Sequence, residues 1–252
     1  MTDAPRRRRR RLLWWIGSGL LGVVLLAAAG IVVWSQVGVY QPEAAPLAAV
    51  RADPAIGLVD EGGAIVMEPT DDETASGTGL VFIPGAKVDP WAYAPTLSGL
   101  VADGGMTVVI TRPWLNLAFF DLRPLTDFTA LAPGVQTWAV GGHSLGGVRA
   151  CSLASDADAL VLFASYCATD LSGTDLPVLS LSGSEDGLST PQKIADARDL
   201  LPDDAVMIEI DGANHASFGA YGPQDGDGTS TISLDQMVER IATEVGGFLP
   251  TP

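Results

Sequence analysis

Cysteine and histidine are scarce in this chain of 252 residues, which contains only two of each. Two cysteines are too few for a disulfide framework or a thiolate metal site, and no stretch carries the six-ligand pattern of a calcium loop. We therefore expect neither a metal nor a cofactor. Cys151 and Cys167 both lie in apolar runs, so we expect two buried thiols; a bridge between them is the alternative that an exported location permits.

Basic residues are rare after the N-terminal region of the chain. Of the 30 acidic residues only Asp3 precedes residue 40, whereas 8 of the 14 basic residues follow it, so 29 acidic against 8 basic residues give a formal charge of −21 there. Such a charge repels nucleic acid and anionic lipid headgroups while it favours solubility. We therefore expect no nucleic-acid partner, and the composition indicates no particular oligomeric state.

The N-terminal region has the composition of a membrane anchor. Six consecutive arginines, Arg6–Arg11, precede 23 residues without a charge, Leu12–Trp34. A helix of this length spans about 34 Å, which exceeds the roughly 30 Å of a bilayer core. Indoles near both ends favour the headgroup region, and the arginines favour the cytoplasmic side. We therefore predict a cytoplasmic basic tail over 1–11, a transmembrane signal anchor over 12–34 and an extracytoplasmic remainder.

A cleaved secretory signal is the alternative interpretation of the same segment. The apolar region of such a signal is usually about 7 to 15 residues long and ends in small residues. Ala27–Ala29 supplies small residues, but Ile31–Trp34 continues the apolar run beyond them. An uncleaved anchor is therefore favoured, and secretion after cleavage stays open.

The rest of the chain alternates between short apolar runs and helical patterns. Residues 35–57 include Gln41–Asp53, which has two prolines and no periodicity, so we predict a linker here and one domain over 58–252. Seven runs rich in Val, Ile and Leu are centred near Ile65, Val81, Val108, Ala139, Val161, Leu179 and Ile208. Helical patterns cover 90–102, 116–130, 144–155, 190–201 and 233–248. Because the runs are apolar on both faces, this alternation predicts an α/β fold, a doubly wound and mostly parallel sheet with helices on both faces.

A serine lies between a predicted strand and a predicted helix. The stretch Gly142–Gly146 reads GHSLG and matches the G-x-S-x-G pattern, which places the serine on a strained turn between small neighbours. Ser144 is therefore the candidate nucleophile, and a glycine-rich bend without catalytic function is the alternative. The assignment depends on a base elsewhere in the chain, because a serine hydroxyl alone is a poor nucleophile.

The scarcity of histidine restricts the choice of base. His143 adjoins Ser144, and its side chain is expected to point away from the hydroxyl, which makes it a bystander. His215 follows the last predicted strand, and ligands gather at the carboxyl ends of such strands, so His215 is the candidate base. Asp186, after the preceding strand, is the candidate acid that orients the imidazole, with Glu185 as the neighbouring alternative.

Backbone donors for an oxyanion are expected beside the serine and in one further loop. The N–H of Leu145 directly follows the nucleophile, and the loop after the second predicted strand offers an N–H of either Ala86 or Lys87. Both loops follow predicted strands, so we expect these donors on the same rim as the candidate triad.

These motifs resemble those of the α/β-hydrolases, in the branch related to dienelactone hydrolases. The similarity runs from about residue 80 to 249, through FIPGAKVDPWAYAP, GGHSLGG, LSGSEDGLSTPQKI and GANHASFGAYGPQDGDG in that order. The resemblance implies the α/β-hydrolase fold, with Ser144 as nucleophile, Asp186 as acid and His215 as base. Dienelactone hydrolases proper use a cysteine nucleophile, so their lactone substrate is not implied.

Two further features have more than one interpretation. Five aromatic residues line an acyl pocket or pack in the core: Trp91, Tyr93, Trp114, Phe119 and Phe120. Asp225 and Asp227, in the stretch Tyr221–Gly228, are compatible with calcium, but without a six-ligand pattern we favour a polar turn that positions the histidine loop.

Together these features predict a membrane-anchored, extracytoplasmic serine hydrolase that cleaves small esters or related acyl compounds through an acyl-enzyme on Ser144. The expected partners are a small acyl substrate and, through the N-terminal helix, the lipid bilayer. No insertion long enough for a large lid separates the strands near Val161 and Leu179, so we expect an open site and a short acyl group. The alternatives are a non-catalytic hydrolase-like binding module and an acyltransferase or peptidase with the same triad.

Overall fold

The computed structural model describes residues 4–61 and 63–249, which form two compact units divided after Gly38. The first unit is one long helix, α1, over Ala4–Gln36. Within it the stretch Leu13–Gln36 reaches a mean hydropathy of 2.4 over a window without buried residues. This length and composition suffice to cross a bilayer, and a signal sequence has the same properties. The apolar helix is thus confirmed, and it begins before residue 12 because arginine is a good helix former.

One eight-stranded sheet organises the second unit. Its strands are β1 Ile56–Glu61, β2 Ala64–Pro69, β3 Thr78–Ile83, β4 Thr107–Thr111, β5 Thr137–His143, β6 Ala159–Phe163, β7 Val178–Gly183 and β8 Val206–Ile210. The order across the sheet is β1-β2-β4-β3-β5-β6-β7-β8. β2 pairs antiparallel with β1 and β4, and all other pairs are parallel. The predicted mostly parallel sheet is therefore confirmed, with β1 as an additional strand.

Helices cover both faces of this sheet. The described part of the second unit contains α2 Ala44–Ala52, α3 Ala94–Ala102, α4 Thr126–Thr129, α5 Leu145–Leu153, α6 Pro191–Asp196 and α7 Leu234–Phe248. One hydrophobic cluster joins α2, α3 and α7 to strand residues such as Phe82, and a second joins α5 to residues such as Val81. Phe82 and Val81 are consecutive in β3, and successive side chains of a strand point to opposite faces. The two clusters therefore lie on opposite faces, as predicted.

The stretch predicted as a linker contains α2. Leu47 and Val50, three residues apart, are buried in the same cluster as α3 and α7. The two prolines do not interrupt the helix, because Pro42 precedes it and Pro46 lies in its first turn, where no intrahelical N–H is needed. The chain joins the second unit earlier still, since Tyr40 already forms a β-bridge. The linker prediction is therefore wrong from Tyr40 onward.

Cys151 and Cys167 form a disulfide, with a Cα–Cα distance of 5.6 Å. The prediction of two free thiols is therefore wrong, although both residues are buried as expected. Cys151 lies in the second turn of α5, Cys167 follows β6, and the helix packs against that strand. This tertiary contact brings the two sulfur atoms together, and nothing in the spacing of the cysteines along the chain indicates it.

Candidate active site

Ser144 occupies a sharp turn between β5 and α5. Its backbone has φ 52° and ψ −122°, a region that residues other than glycine seldom adopt. The Ser144 N–H donates to the Phe163 carbonyl (3.0 Å), and the Ser165 hydroxyl donates to the Ser144 carbonyl (2.7 Å), so both sides of the turn are held. A Cβ on Gly146 would lie 2.0 Å from the Ile83 carbonyl oxygen, so only glycine fits there. The serine hydroxyl makes no capping hydrogen bond to α5, which leaves it available for chemistry.

His215 and Asp186 form a buried, hydrogen-bonded pair. Nδ1 of His215 lies 2.8 Å from Oδ2 of Asp186, and the two side chains are 2% and 0% exposed. The other carboxylate oxygen, Oδ1, accepts the backbone N–H groups of Leu188 (2.8 Å) and Ser189 (2.7 Å), which fixes the carboxylate. Glu185, the neighbouring candidate, is exposed. The structure thus brings Asp186, and not Glu185, to the imidazole.

The contact with Asp186 determines which nitrogen of His215 can accept a proton. A carboxylate only accepts hydrogen bonds, so Nδ1 carries the proton and Nε2 is the acceptor of the neutral ring. No partner among the described residues occupies Nε2. The His215 ring lies 4.4 Å, centroid to centroid, from the ring of His143, which directly precedes Ser144. The basic nitrogen is therefore unoccupied on a ring that lies next to the serine turn.

In the loop after β3, the backbone N–H groups on either side of Ala86 are both engaged. The Gly85 N–H donates to the Tyr93 hydroxyl (2.9 Å), and the Lys87 N–H donates to a backbone carbonyl of the segment after β4 (2.8 Å). In the described part of the chain, the Ala86 N–H has no acceptor, and neither has the Leu145 N–H at the first position of α5. Of the two alternatives in this loop, Ala86 and not Lys87 has a free donor.

His143, the predicted bystander, is 1% exposed and hydrogen-bonded through both ring nitrogens. Its Nδ1 lies 2.9 Å from the Tyr93 hydroxyl, and its Nε2 lies 3.1 Å from the carbonyl oxygen of His215. Burial lowers the pKa of His143 well below its ordinary value, and the neighbouring His215 lowers it further. His143 therefore stays neutral and has no free nitrogen to accept the Ser144 proton.

Asp227 contacts the loops of both the candidate acid and the candidate base, and it lies in the stretch that the sequence indicated as a polar turn positioning the histidine loop. Its Oδ1 accepts the backbone N–H groups of Gly187 (3.1 Å), His215 (3.1 Å) and Gly228 (2.8 Å), and its Oδ2 accepts that of Ala216 (2.9 Å). The carboxylate oxygens thus bind N–H groups, and the described residues contain no group of three His, Cys, Asp or Glu that could hold a metal ion. The only signal in the sequence is an aspartate between two glycines in the loop after His215.

The five aromatic residues assigned to an acyl pocket or to the core divide between core and surface. Tyr93 is fully buried, and Trp91 is partly buried with the Arg51 guanidinium 4.7 Å from its ring centroid. The other three are 59%, 57% and 44% exposed: Trp114, Phe119 and Phe120. The interpretation that these three residues pack in the core is therefore wrong, and their contact with an acyl group stays a prediction.

The fold and the site together define a class of protein. A serine turn between a parallel strand and a helix, a histidine after the last strand and a carboxylate after the strand before it are the features of an α/β-hydrolase. The chain belongs to the alpha/beta hydrolase family, whose model matches residues 79–239, more than half of the chain. The matched region includes Ser144, Asp186, His215 and both candidate oxyanion donors.

Solved structures agree with this assignment at the level of the fold. The esterase domain of a Rhodothermus marinus protein has a TM-score of 0.56 at 15% identity, covering 76% of this chain and 96% of its own. Est1E from Butyrivibrio proteoclasticus has a TM-score of 0.51 at 13% identity, covering 77% and 97%. The alpha/beta hydrolase MGS-MChE2, from a metagenome of lagoon sediments at Mar Chica, Morocco, has a TM-score of 0.50 at 21% identity, covering 64% and 90%. No curated protein matches the chain significantly.

Proposed function

We propose that this protein is a serine hydrolase that cleaves small esters or related acyl compounds through an acyl-enzyme on Ser144. The observation that carries the proposal is the buried 2.8 Å contact between Nδ1 of His215 and Oδ2 of Asp186, beside a serine held in a strained turn. Membership of the alpha/beta hydrolase family supports hydrolysis as the reaction class. One similar solved structure is named an esterase domain, which supports an ester as the substrate.

The first half of the proposed reaction forms the acyl-enzyme. The Ser144 oxygen attacks the carbonyl carbon of the ester while Nε2 of His215 accepts the serine proton. Asp186 stabilises the resulting imidazolium through its hydrogen bond to Nδ1. The N–H groups of Leu145 and Ala86 stabilise the oxyanion. The intermediate collapses when Nε2 gives its proton to the departing alcohol oxygen and the bond between carbon and that oxygen breaks.

The second half releases the acid. Water attacks the acyl carbon, and Nε2 of His215 accepts one of its protons. Collapse of the second oxyanion breaks the bond to Ser144, whose oxygen takes that proton back. Every proton moves through His215, so the scheme uses no metal and no cofactor.

We also propose that α1 anchors the enzyme in a membrane, with the catalytic domain outside the cytoplasm. The apolar stretch Leu13–Gln36 supports the anchor, and Arg6–Arg11 supports a cytoplasmic N-terminus. The disulfide between Cys151 and Cys167 supports the exported domain, because disulfides persist in oxidising compartments. Carbonate extraction of membranes tests the anchor: an intact chain should stay in the pellet, and a shorter chain in the medium would show a cleaved signal instead.

Labelling with a fluorophosphonate tests the catalytic proposal, because this probe reacts with activated serines. The full-length protein in nanodiscs should be labelled and should hydrolyse p-nitrophenyl butyrate. Ser144→Ala should lose both properties, while Ser172→Ala, a change at an exposed serine, should keep both. Folded, disulfide-intact protein that shows neither labelling nor turnover would contradict the proposal and support a non-catalytic binding module.

Product analysis separates hydrolysis from the other reactions that the same three side chains perform. With a competing alcohol or amine present, a hydrolase releases mainly the free acid, whereas an acyltransferase gives the transferred ester or amide. Cleavage of a peptide library in preference to esters would indicate a peptidase.

A further inference from the structure

We propose that Tyr93 and His143 form a buried, uncharged bridge that positions the base His215 relative to the oxyanion loop. This inference rests on the proposed function, since it assigns to two buried residues a positioning role for the proposed base. The Tyr93–His143 bridge connects the backbone of Gly85, next to the donor Ala86, with the backbone of His215.

Three consecutive hydrogen bonds make up the bridge. The Gly85 N–H donates to the Tyr93 hydroxyl oxygen (2.9 Å), that hydroxyl contacts Nδ1 of His143 (2.9 Å), and Nε2 of His143 contacts the His215 carbonyl oxygen (3.1 Å). A carbonyl oxygen only accepts, so Nε2 carries the proton. Nδ1 of the neutral ring then accepts, and the Tyr93 hydroxyl must donate to it. One arrangement of protons therefore satisfies all three hydrogen bonds.

The surroundings of the bridge keep it neutral and rigid. Tyr93 and His143 are 0% and 1% exposed, and burial raises the pKa of Tyr93 while it lowers that of His143. The Tyr93 ring lies 5.1 Å from that of Phe82, and the His143 ring lies 6.1 Å from that of Phe218. A Cβ on Gly85 would lie 2.9 Å from Nδ1 of His143 and 3.0 Å from the Tyr93 hydroxyl, so glycine lets the loop approach this closely.

The bridge completes the fixation of His215. Its Nδ1 is held by Asp186 and its backbone N–H by Asp227, while its backbone carbonyl is held by His143. Of the polar atoms of His215, only Nε2 has no hydrogen-bond partner among the described residues, and Nε2 is the atom that must exchange protons with Ser144. The other end of the bridge binds the Gly85 N–H, and Ala86, the candidate oxyanion donor, is the next residue. The same hydrogen bonds therefore fix the position of the proposed base relative to that donor.

Paired substitutions at His143 separate positioning from packing. In His143→Gln the amide N–H can donate to the His215 carbonyl and the amide oxygen can accept from Tyr93, whereas His143→Phe fills similar space without hydrogen bonds. Tyr93→Phe removes one oxygen atom, and Tyr221→Phe is the matched control, because the Tyr221 hydroxyl binds Gln224 outside the bridge. The measurement is kcat and KM for p-nitrophenyl butyrate, with the active sites counted by fluorophosphonate titration.

We expect both phenylalanine variants of the bridge, Tyr93→Phe and His143→Phe, to lower kcat by about 10-fold to 100-fold with KM changed less than about twofold, because small displacements of catalytic groups have effects of this size. His143→Gln should recover most of that loss, and Tyr221→Phe should match the wild type. The proposal would be overturned if Tyr93→Phe and His143→Gln kept the wild-type kcat per titrated site and His143→Phe lost only a small part of it.

Nitrogen NMR of the protein labelled with 15N-histidine gives a readout that does not depend on activity. The chain contains two histidines, so the signals that His143→Gln removes belong to His143. They should show a neutral ring with the proton on Nε2 between pH 5.5 and 8.5, and Tyr93→Phe should shift the Nδ1 signal. A proton on Nδ1, or no response to Tyr93→Phe, would overturn the bridge. If the wild type hydrolyses no ester while the NMR result holds, the proposed function fails and the bridge stands.

Discussion

Asp227→Asn is the substitution that most directly tests how the loops of the candidate acid and the candidate base are held together. The carboxylate accepts four backbone N–H groups, three at Oδ1 and one at Oδ2. An asparagine keeps one carbonyl oxygen. If that oxygen faces the three donors, its NH2 group faces the Ala216 N–H, which then loses its acceptor. The variant therefore loses at least one hydrogen bond to a charged group and weakens three more.

The size of the effect follows from these contacts. A hydrogen bond to a charged group contributes about 1.5–3 kcal/mol, and Asp227 is only half-buried, so we take about 2 kcal/mol for the free energy of unfolding. For a domain of this size each kcal/mol lowers Tm by about 2–4 °C, which gives a decrease of about 4–8 °C. Because Asp227 binds the His215 N–H, kcat should also fall, by about 10-fold.

Circular dichroism melts and steady-state kinetics of the full-length chain measure both quantities. Asp225→Asn is the matched control, since it removes the same charge two residues away from an exposed side chain. A Tm and a kcat for Asp227→Asn that equal those of Asp225→Asn would refute the role of the carboxylate in joining the two loops.

Three further predictions concern the triad, the disulfide and the buried histidine. Asp186→Asn should lower kcat for p-nitrophenyl butyrate by about 10³-fold to 10⁴-fold, while Glu185→Gln should leave it near the wild type. Loss of the disulfide, which closes a separation of 16 residues, should lower the free energy of unfolding by about 3 kcal/mol, measured by urea denaturation of the double variant Cys151→Ser, Cys167→Ser. Burial lowers the pKa of His143, so the unfolded chain binds a proton below about pH 6.5 that the folded chain does not. Below about pH 6.5 the free energy of unfolding of the wild type should therefore fall by about 1.4 kcal/mol per pH unit more than that of His143→Gln. Urea denaturation of both proteins across this range measures the difference, and the same pH dependence in both would contradict the prediction.

The central strands are predictable from the sequence because helices cover both of their faces. Strands β3, β4, β6 and β7 are buried along their whole length, so their apolar residues run without alternation. Strand β1 gives no such signal. It lies at the edge of the sheet, only Ile56 in it is buried, and it ends in two exposed acidic residues.

The segment after β4 shows where a local pattern fails because a distant contact overrides it. The helical pattern over 116–130 yields only two short 3-10 turns and α4. Leu115 and Asn116 have φ values of 58° and 54°, which lie in the left-handed region and end any right-handed α-helix. The Asn116 carbonyl accepts the Lys87 N–H from another loop, so the conformation serves a tertiary contact. The same contact decides between Ala86 and Lys87 as donor, which the sequence left open.

The candidate triad is easier to predict than the residues that support it. Ser144, Asp186 and His215 each follow a strand, and strand ends are visible in the sequence. Asp227 and Tyr93 act through hydrogen bonds to backbone groups of distant loops, and such bonds produce no periodicity and no motif. The sequence indicates a polar turn around Asp227 that positions the histidine loop, but the groups that Asp227 and Tyr93 bind become visible only when the loops are brought together in space.

The direction of the His143 side chain nevertheless follows from the strand that carries it. In β5, Ala139 belongs to the cluster of α3 and α7, and Val140 belongs to the cluster of α5. The period of two places His143 on the same face as Ala139. Tyr93 and Phe218 belong to that cluster too, so the ring is directed at the tyrosine before α3 and at the histidine loop. A polar ring buried on that face must find hydrogen-bond partners there, and it finds the Tyr93 hydroxyl and the His215 carbonyl. We therefore expect an apolar residue at position 143 to remove support from the candidate base, because the hydrogen bond to the His215 carbonyl is lost.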